Sequence, residues 1–289
     1  MILACCLPDP GAPASLLAGP RLLAVRADPP EAKPDVAVTY EALVIDADGA
    51  RAETSVRWAF CASPKPLTET NSVSSACLDD AGVRLIAGAG ASVTATTPAD
   101  VCALFGPDTP RGDFRPRDPD VTGGFYQPVR VEALGLVAFA RERIMCNLPN
   151  APVDAAIELQ RRYRANANPT LTPLVARIDG ALVALDQVPA GARVRFEIGW
   201  LEGDAQVYPM FDPGAQRVVD RREALRVAWF ATAGKLASEV TGRSEIDLEM
   251  STENAWDAPS TPGSTKLWLV LRDSRGGVDV IGYELHVSP

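Results

Sequence analysis

Histidine is almost absent from this chain of 289 residues, which contains a single one, His286. Catalytic triads that use a histidine base, and zinc sites built on histidine, therefore have almost no residues to draw on. The P-loop, GxSxG and HExxH motifs are absent from the sequence as well. We expect His286 to be a solvated strand residue near Glu284. We also expect a chain with no catalytic residues, no metal site and no cofactor.

The chain also has little uncompensated positive charge and no long apolar run. Its 28 lysines and arginines stand against 37 acidic residues, which gives a net charge of −9. Nucleic-acid binding usually needs a basic stripe, and the arginines are instead scattered among acids, so we expect no nucleic-acid partner. No stretch approaches the roughly 18 uninterrupted apolar residues of a membrane span, so we expect no transmembrane helix.

Turn residues and short apolar stretches are plentiful, with 25 prolines and 22 glycines. This composition suits many short strands joined by turns. The pattern is clearest at residues 225–231, because Leu225, Val227 and Trp229 alternate with other residues in the period of two of a half-buried strand. Further strands are predicted at residues 21–26, 36–45, 56–62, 83–86, 91–95, 174–178, 182–185, 194–198, 266–271 and 278–287. Residues 129–144 are predicted to form one strand bent at Gly135, or two.

One helix is predicted, at residues 151–164. Asn150 is placed to cap it, Pro152 suits its first turn, and the string Asn-Ala-Asn-Pro that follows ends it. The length allows two ordinary domains, and their boundary should fall near this helix. We predict the following division: an N-terminal segment and spacer at 1–19, a first domain at 20–149, a helical linker at 150–169 and a second domain at 170–289.

A short pattern occurs once in each predicted domain. Residues 56–62 and 227–233 share the spacing Val-x-Trp-x-x-x-Ala, with Trp58 and Trp229 on strands that follow charged turns. This indicates an internal repeat of one sandwich unit, and a coincidence of three positions is the alternative. A tryptophan on a central strand, packed between two sheets, is a feature of immunoglobulin-like sandwiches.

The second half of the chain resembles the bacterial Ig-like and PKD-like domain families. The resemblance covers about residues 170–289 and rests on the strings W-F-A-T-A-G, W-x-A-P, P-G and R-D-x-R-G-G, with an apolar strand before the last. The first domain resembles the same families more loosely, through its opening strands and Trp58. The resemblance implies an all-β chain of two tandem immunoglobulin-like β-sandwich domains with a short helical linker. It also implies display at the cell surface or in the periplasm, adhesion or spacing, and no single shared activity.

Four of the six cysteines lie in the first domain or at its end: Cys61, Cys77, Cys102 and Cys146. They form no CxxC pairs and have no histidine partners, so two disulfides are favoured over a metal site. Three connectivities are possible, and we expect pairing between neighbours, Cys61 with Cys77 and Cys102 with Cys146. Two disulfides would indicate an oxidising compartment, and four buried free thiols in a cytosolic protein are the alternative.

The chain begins MILACC, which resembles the last residues of a bacterial lipoprotein signal, in which small and aliphatic residues precede the lipidated cysteine. The basic and apolar regions that normally come earlier are missing. This favours a start site assigned too far downstream, or a chain trimmed near the processing site, with Cys5 rather than Cys6 as the lipidated residue. Such a lipid would anchor the protein in the cell envelope, at the outer membrane or in the periplasm, without spanning the membrane. A chance apolar start is the alternative.

The most unusual region is the long loop at residues 106–127, GPDTPRGDFRPRDPDVTGGFYQ. Loops of this length within a domain are uncommon and often functional. We predict that it contacts a partner, together with the insert at residues 64–82, because loops on a rigid sandwich carry recognition. The predicted contact residues are Arg111, Asp113, Phe114, Arg115, Asp118, Asp120, Phe125 and Tyr126.

Two more specific roles for this loop have weaker support. It contains Arg-Gly-Asp, a string that engages integrins in animal matrix proteins, but a tripeptide often occurs by chance. Its aspartates, with Asp46 and Asp48 elsewhere, supply oxygen atoms of the kind that calcium binds. No twelve-residue calcium loop with its terminal glutamate is present, so solvated turn aspartates are expected.

The sequence thus predicts a non-catalytic lipoprotein of the cell envelope that serves as a binding or structural module in adhesion or envelope assembly. Its partner would be a protein or a glycan, and its contact with the membrane a lipid anchor only. One alternative is a carbohydrate-binding accessory module or a glycan-active enzyme, which a cleft with two acids, or Trp200 and Trp256 exposed in a flat row, would favour. The other is a mechanical spacer with a rigid interdomain angle and no ligand site.

Overall fold

The fold is built almost entirely from β-strands. The computed structural model describes residues 13–46, 48–52, 54–108, 124–148 and 151–289. Within these residues there are twenty strands, two short α-helices and two 3-10 turns. The predicted all-β fold class is therefore confirmed.

The first β-sandwich consists of two sheets around one apolar core. Its strands are, in chain order, β1 (Arg21–Asp28), β2 (Glu31–Ala32), β3 (Ala37–Ile45), β4 (Arg57–Cys61), β5 (Val83–Ile86), β6 (Ser92–Thr96), β7 (Phe125–Ala133) and β8 (Leu136–Ile144). The smaller sheet has the order β1-β3-β6, and the larger has the order β2-β8-β7-β4-β5. Strand β2 runs parallel to β8, and the other pairs are antiparallel. A four-residue helix, α1 (Val101–Leu104), follows β6.

The second β-sandwich also consists of two sheets around its own core. Its strands are, in chain order, β9 (Val175–Ile178), β10 (Ala181–Leu182), β11 (Val188–Pro189), β12 (Arg193–Gly199), β13 (Val207–Asp212), β14 (Arg217–Arg222), β15 (Leu225–Ala231), β16 (Lys235–Leu236), β17 (Val240–Arg243), β18 (Ser251–Asp257), β19 (Gly263–Asp273) and β20 (Val278–Ser288). The sheets have the orders β10-β9-β12-β18-β16 and β11-β20-β19-β15-β17, and β13 and β14 form a separate hairpin.

The larger sheet of the first sandwich and its counterpart in the second have the same arrangement of strands. In each, a short edge strand runs parallel to the last strand, which forms a hairpin with the strand before it. Trp58 on β4 and Trp229 on β15 occupy the same place in this order, and both are buried. The Trp58 ring centroid lies 6.1 Å from that of Tyr40, and the Trp229 ring stacks 6.2 Å from that of Phe196.

The structure decides or changes several predicted elements. Residues 129–144 were predicted as one bent strand or two, and the second alternative is confirmed: they form β7 and β8, because Leu134 and Gly135 both adopt positive φ and make a tight hairpin turn. Trp256 and Asp257, the first residues of the string W-x-A-P, end strand β18, which pairs with β12. The hairpin of β13 and β14 was not predicted.

The predicted helix is present but shorter, as α2 (Val153–Arg162). Its predicted cap, Asn150, lies outside the described residues. The helix packs against the hairpin of β13 and β14, and Arg162 binds both Glu158 and Asp220 there. It is therefore attached to the second sandwich rather than exposed between two bodies.

The two sandwiches pack side by side through the outer faces of two sheets. Leu23, Leu43 and Ile45 from the first meet Val270 and Val278 from the second in a separate apolar cluster. Two backbone carbonyls of the first sandwich also accept hydrogen bonds from the second, since the Trp268 Nε1 donates to Gly49 O (2.8 Å) and Arg272 Nη2 to Leu23 O (2.8 Å). The last part of β3 and the middle of β19 are thus buried on both faces.

Candidate functional site

The structure describes only two of the eight predicted contact residues. Phe125 and Tyr126 are the first residues of β7, and Phe125 packs beside the Cys102–Cys146 disulfide. The other six lie outside the described residues: Arg111, Asp113, Phe114, Arg115, Asp118 and Asp120. Their contact role stays a prediction. The predicted lipidation site, Cys5, lies outside the described residues too.

Both predicted disulfides are present, with the expected pairing. Cys61 at the end of β4 is bonded to Cys77, and Cys102 in α1 is bonded to Cys146 after β8. Because disulfides persist mainly in oxidising compartments, these bonds indicate an extracellular or envelope protein.

The insert at residues 64–82 is held against the larger sheet by a buried arginine. Arg130 Nη1 donates to the carbonyls of Cys77 (3.3 Å) and Leu78 (3.0 Å), and Nη2 forms an ion pair with Asp80. The hydrogen bonds from Arg130 and then Arg57 hold the pKa of Asp80 below its usual value. The insert is therefore an ordered part of the surface rather than a loose loop.

A network of buried charges lies where the two sandwiches meet. Its centre in the first sandwich is Glu31 on β2, whose carboxylate accepts hydrogen bonds from Arg143 Nε (3.0 Å), the Tyr163 hydroxyl (2.7 Å) and the backbone N–H of Asn166 (2.9 Å). Asn166 Nδ2 in turn donates to Asp273 Oδ2 at 2.9 Å. The segment after α2 therefore connects the first sandwich to the second.

Arg275 is the centre of the network in the second sandwich, in the turn between β19 and β20. Its Nε donates to Glu223 Oε1 (2.6 Å) and its Nη2 to Gln206 Oε1 (2.6 Å). Its guanidinium carbon also lies 4.4 Å from the centre of the Tyr208 ring, which is cation–π geometry. Arg275 Nη1 is 3.8 Å from Glu31 Oε2, so the two halves of the network touch.

The electrostatics of the network follow from its burial. Burial raises the pKa of Glu223 to about 7, although Arg275 opposes this, and burial raises the pKa of Asp273. Burial also raises the pKa of Tyr163 to about 12, so its hydroxyl stays a donor to Glu31 at neutral pH. Every carboxylate of the network has a protein partner, which makes the cluster suited to fixing the sandwiches together rather than to proton transfer with a substrate.

A cleft of about 370 Å³ opens beside this network, between β1, β8 and the turn that contains Arg275. Tyr126, Phe139, Arg141 and Arg272 are among its lining residues, and the Arg141 guanidinium lies 5.3 Å from the centre of the Tyr126 ring. Burial lowers the pKa of Arg272. Within the part of the chain that the structure describes, neither arginine has a carboxylate within 4.0 Å, so the cleft fits an anionic or carbonyl-bearing group of a partner.

The two arrangements that would favour a glycan site are not found where the sequence placed them. Trp200 and Trp256 are only 3% and 1% exposed, so they belong to the core of the second sandwich and form no flat row. Among the described residues, no group of three or more His, Cys, Asp or Glu side chains could hold a metal ion. The described helices are all too short or too polar to cross a membrane.

The sequence did not indicate the junction network. Its members are far apart in the chain, with 132 residues between Tyr163 and Glu31 and 112 between Tyr163 and Arg275. The string R-D-x-R-G-G contributed only to the resemblance to Ig-like families, and nothing in the local sequence distinguishes a buried arginine from a solvated one. A usable signal was the unbroken apolar run that ends β3, because a strand buried on both faces is typically continuous rather than alternating.

No family model matches the chain, and no curated protein matches it. Among solved structures it is similar to the adhesin InvE of Yersinia pseudotuberculosis, with 9% identity over 92% of this chain and 58% of that one, at a TM-score of 0.26. It is similar to E. coli alpha-2-macroglobulin (10%, 94% of this chain, 17% of that one, TM-score 0.26) and to chicken CNTN1 domains FN1–FN3 (9%, 94%, 67%, TM-score 0.22). The chain thus spans about three fifths of the adhesin's length. At TM-scores this low, the likenesses contribute nothing to the argument about function.

Proposed function

We propose that this chain is a non-catalytic binding module of the cell envelope, which presents a contact surface on a rigid pair of β-sandwiches and is anchored by a lipid on Cys5. The division into domains at 20–149 and 170–289, with 150–169 between them, is part of the proposal. The observation that carries it is the junction, where an apolar layer and a buried charge network hold the sandwiches together.

The predicted contact loop is flanked by two glycines in tight packing, Gly106 against the Cys102–Cys146 disulfide and Gly124 against Arg143 of the junction network. A Cβ on Gly106 would come within 2.6 Å of Cys146 Sγ, and a Cβ on Gly124 within 2.3 Å of Arg143 Nη1, so each glycine packs closely against a fixed group. Tyr126, two residues after Gly124, lines the 370 Å³ cleft. A partner bound by the loop would therefore also reach Arg141 and Arg272. The cleft, through these two arginines, suits a protein or glycan that carries acidic or carbonyl groups.

Crosslinking of the full chain in its native envelope tests the proposal. Deletion of residues 112–122 should remove the crosslinked partners, and Arg141→Gln should weaken the same crosslinks by several-fold. Arg193→Gln is the matched control, because Arg193 is exposed on the second sandwich and binds Asp257 at 2.7 Å. Crosslinks that survive the deletion unchanged would show that the loop is not the contact site.

Lipid anchoring is tested separately by intact mass of the native protein. The proposal expects a lipid mass on a chain that starts at Cys5, with four thiols that react with alkylating agents only after reduction. A retained Met1 without added mass would refute the anchor while leaving the crosslinking result to decide the binding function.

A mechanical spacer is the second candidate, and the locked junction favours it. A spacer keeps its role when its loops are changed, provided that the junction stays intact. Envelope function that survives deletion of 112–122 but is lost in Arg275→Ala would support the spacer over the binding module.

A further inference from the structure

The loop between β17 and β18 presents its apolar side chains to solvent. It has the sequence Ser-Glu-Ile-Asp-Leu-Glu-Met at 244–250, in which acidic and apolar residues alternate. Ile246 is 86% exposed, Leu248 76% and Met250 48%. A soluble surface rarely shows three large apolar side chains of one loop together, and such a patch indicates an interaction site.

The acidic residues of the same loop are paired with arginines. Asp247 Oδ2 lies 3.2 Å from Arg243 Nη1, and Glu249 forms an ion pair with the same guanidinium. Glu245 Oε2 lies 3.8 Å from Arg221 Nη1. These contacts neutralise the loop's carboxylates.

The backbone of the loop is fixed from the same side. The carbonyl of Asp247 accepts a hydrogen bond from Arg222, and that of Ser251, just after the loop, accepts one from Arg243 Nε at 2.7 Å. The N–H of Glu249 donates to Asp247 Oδ1 at 3.0 Å. Ile246 and Leu248 are therefore exposed in a loop whose backbone is held in one conformation by hydrogen bonds.

A cleft of about 620 Å³ that is rich in arginine lies next to this loop. Ser244 and Glu245, the first loop residues, line it, as do Tyr208 and Arg226. The arginines in its lining are Arg221, Arg222, Arg226 and Arg243.

Arg226 supplies the uncompensated charge of the cleft. It lies on β15, directly opposite Arg272 on β19, and within the described residues it has no carboxylate within 4.0 Å. Arg222 is bonded to a carbonyl rather than to a carboxylate. The cleft is therefore locally positive on a chain whose net charge is −9.

We propose that this loop and cleft form a membrane-contact surface, in which Ile246, Leu248 and Met250 enter the boundary between headgroups and acyl chains and Arg226, with Arg222, binds the phosphate of an anionic headgroup. Apolar side chains beside uncompensated arginines are the combination that interfacial binding uses. The chain's negative net charge opposes approach to an anionic bilayer, but at physiological salt this repulsion is screened beyond about 8 Å. Binding to the bilayer is therefore determined by the residues of the loop and cleft that contact it. The proposal adds a second membrane contact to the lipid anchor and does not depend on it.

Vesicle flotation of the full chain tests this inference, with Cys5→Ala and Cys6→Ala present so that no lipid contributes. We expect binding to vesicles of phosphatidylglycerol and phosphatidylcholine. Ile246→Ser with Leu248→Ser should weaken it about tenfold or more, because two apolar side chains would no longer be buried. Arg226→Gln should remove most of the preference for anionic over purely zwitterionic vesicles.

Leu85→Ser is the matched control, since Leu85 is 60% exposed on β5 and lies outside the proposed surface. It should leave vesicle binding unchanged, and all these variants should keep the thermal unfolding midpoint of the parent because the side chains are exposed.

Equal binding by the loop variant and the parent would overturn the proposal, as would no vesicle binding by the parent. Self-association in light scattering that the loop variant abolishes, without vesicle binding, would assign the surface to a second copy. Binding of inorganic phosphate alone, without vesicle binding, would reduce the cleft to a site for free anions.

Discussion

One sheet of each sandwich has the same strand order, but the two sandwiches are stabilised by different means. The core cluster of the second contains 18 buried residues among those described, including Trp200, Trp229 and Trp256. That of the first contains 13, with Trp58 as its tryptophan, and the first sandwich carries both disulfides. The same sheet order is thus supported by a larger apolar core in one sandwich and by a smaller core with covalent links in the other.

The interiors differ in polarity as well. In the first sandwich Glu142 on β8 is buried and accepts a hydrogen bond from the Tyr40 hydroxyl. Its Oε1 has no hydrogen-bond partner, and neither has Oε1 of Gln127, the residue directly opposite on β7. A proton on Glu142 would add a donor to this pair of acceptors. The first sandwich therefore has a buried carboxyl beside Tyr40 of its core, whereas the buried carboxyls described in the second, Glu223 and Asp273, belong to the junction network.

The largest expected effect comes from removing the buried tryptophan of the second sandwich. Trp229→Ala should lower the free energy of unfolding by about 3–5 kcal/mol, because it leaves a large cavity in a core with no covalent support. Trp58→Ala removes the equivalent side chain from the first sandwich. With the disulfides intact, the first sandwich should keep more hydrogen-exchange protection than the second does after Trp229→Ala. Equal loss of protection in both variants would contradict the idea that the bonds compensate for the smaller core.

The next largest loss of stability is expected from breaking the charge network at the junction. Arg275→Ala leaves Glu223 buried without its charge partner, so we expect a loss of about 3 kcal/mol in urea unfolding. Arg193→Ala removes an exposed arginine that pairs with Asp257, and it should cost about 1 kcal/mol or less. If the two variants lost similar stability, the junction would not be the shared support of the sandwiches.

Removing a disulfide tests whether the covalent links stabilise the first sandwich only. Cys102→Ser with Cys146→Ser should cost about 2–4 kcal/mol and act on the first sandwich alone. Cys61→Ser with Cys77→Ser should cost somewhat less, because its bond closes 16 residues rather than 44. Hydrogen exchange resolved by segment measures which strands lose protection. Loss of protection in β15 or β19 would contradict the prediction that only the first sandwich is destabilised.

The last prediction concerns how the stability of the fold changes with pH. Burial raises the pKa of Glu142 from 4.5 to about 8, so the folded state binds a proton that the unfolded state has released at pH values between these two. The contribution of this group to stability is therefore complete below pH 4.5 and is lost as pH rises to about 8. Glu223, with a pKa of about 7, acts in the same direction over a narrower range.

Glu142→Gln should make the unfolding midpoint fall less steeply between pH 5 and 8 than that of the parent, and its relative benefit should be largest at pH 8. Glu41→Gln is the control, because Glu41 on β3 belongs to the same sandwich, its side chain is 43% exposed and it pairs with the exposed Arg51. Parallel pH profiles for Glu142→Gln and the parent would show that the buried carboxyl is not protonated in the folded state.

The sequence was sufficient for features that depend on local pattern or simple chemistry. The alternation around Trp229, the spacing of the four cysteines and the helix after Pro152 all matched the structure, apart from the ends of the elements. The junction was not predictable in this way, because pairs such as Glu31 and Arg143 meet only after both sandwiches are folded. The exposure of Ile246 was also unforeseen, since alternation normally places the acidic residues, not the apolar ones, in solvent.

The start of the described chain is attached to the second sandwich rather than to the first. Leu17 N–H donates to Ala231 O at 2.9 Å, Ala231 N–H donates to Ser15 O at 2.8 Å, and Leu16 forms a parallel bridge with Ala231. A pulling force applied upstream of Ser15 would therefore load β15 in shear before it reached β1. The second sandwich, which has no disulfide among the described residues, would bear the tension first, and the covalently linked first sandwich would be shielded from it.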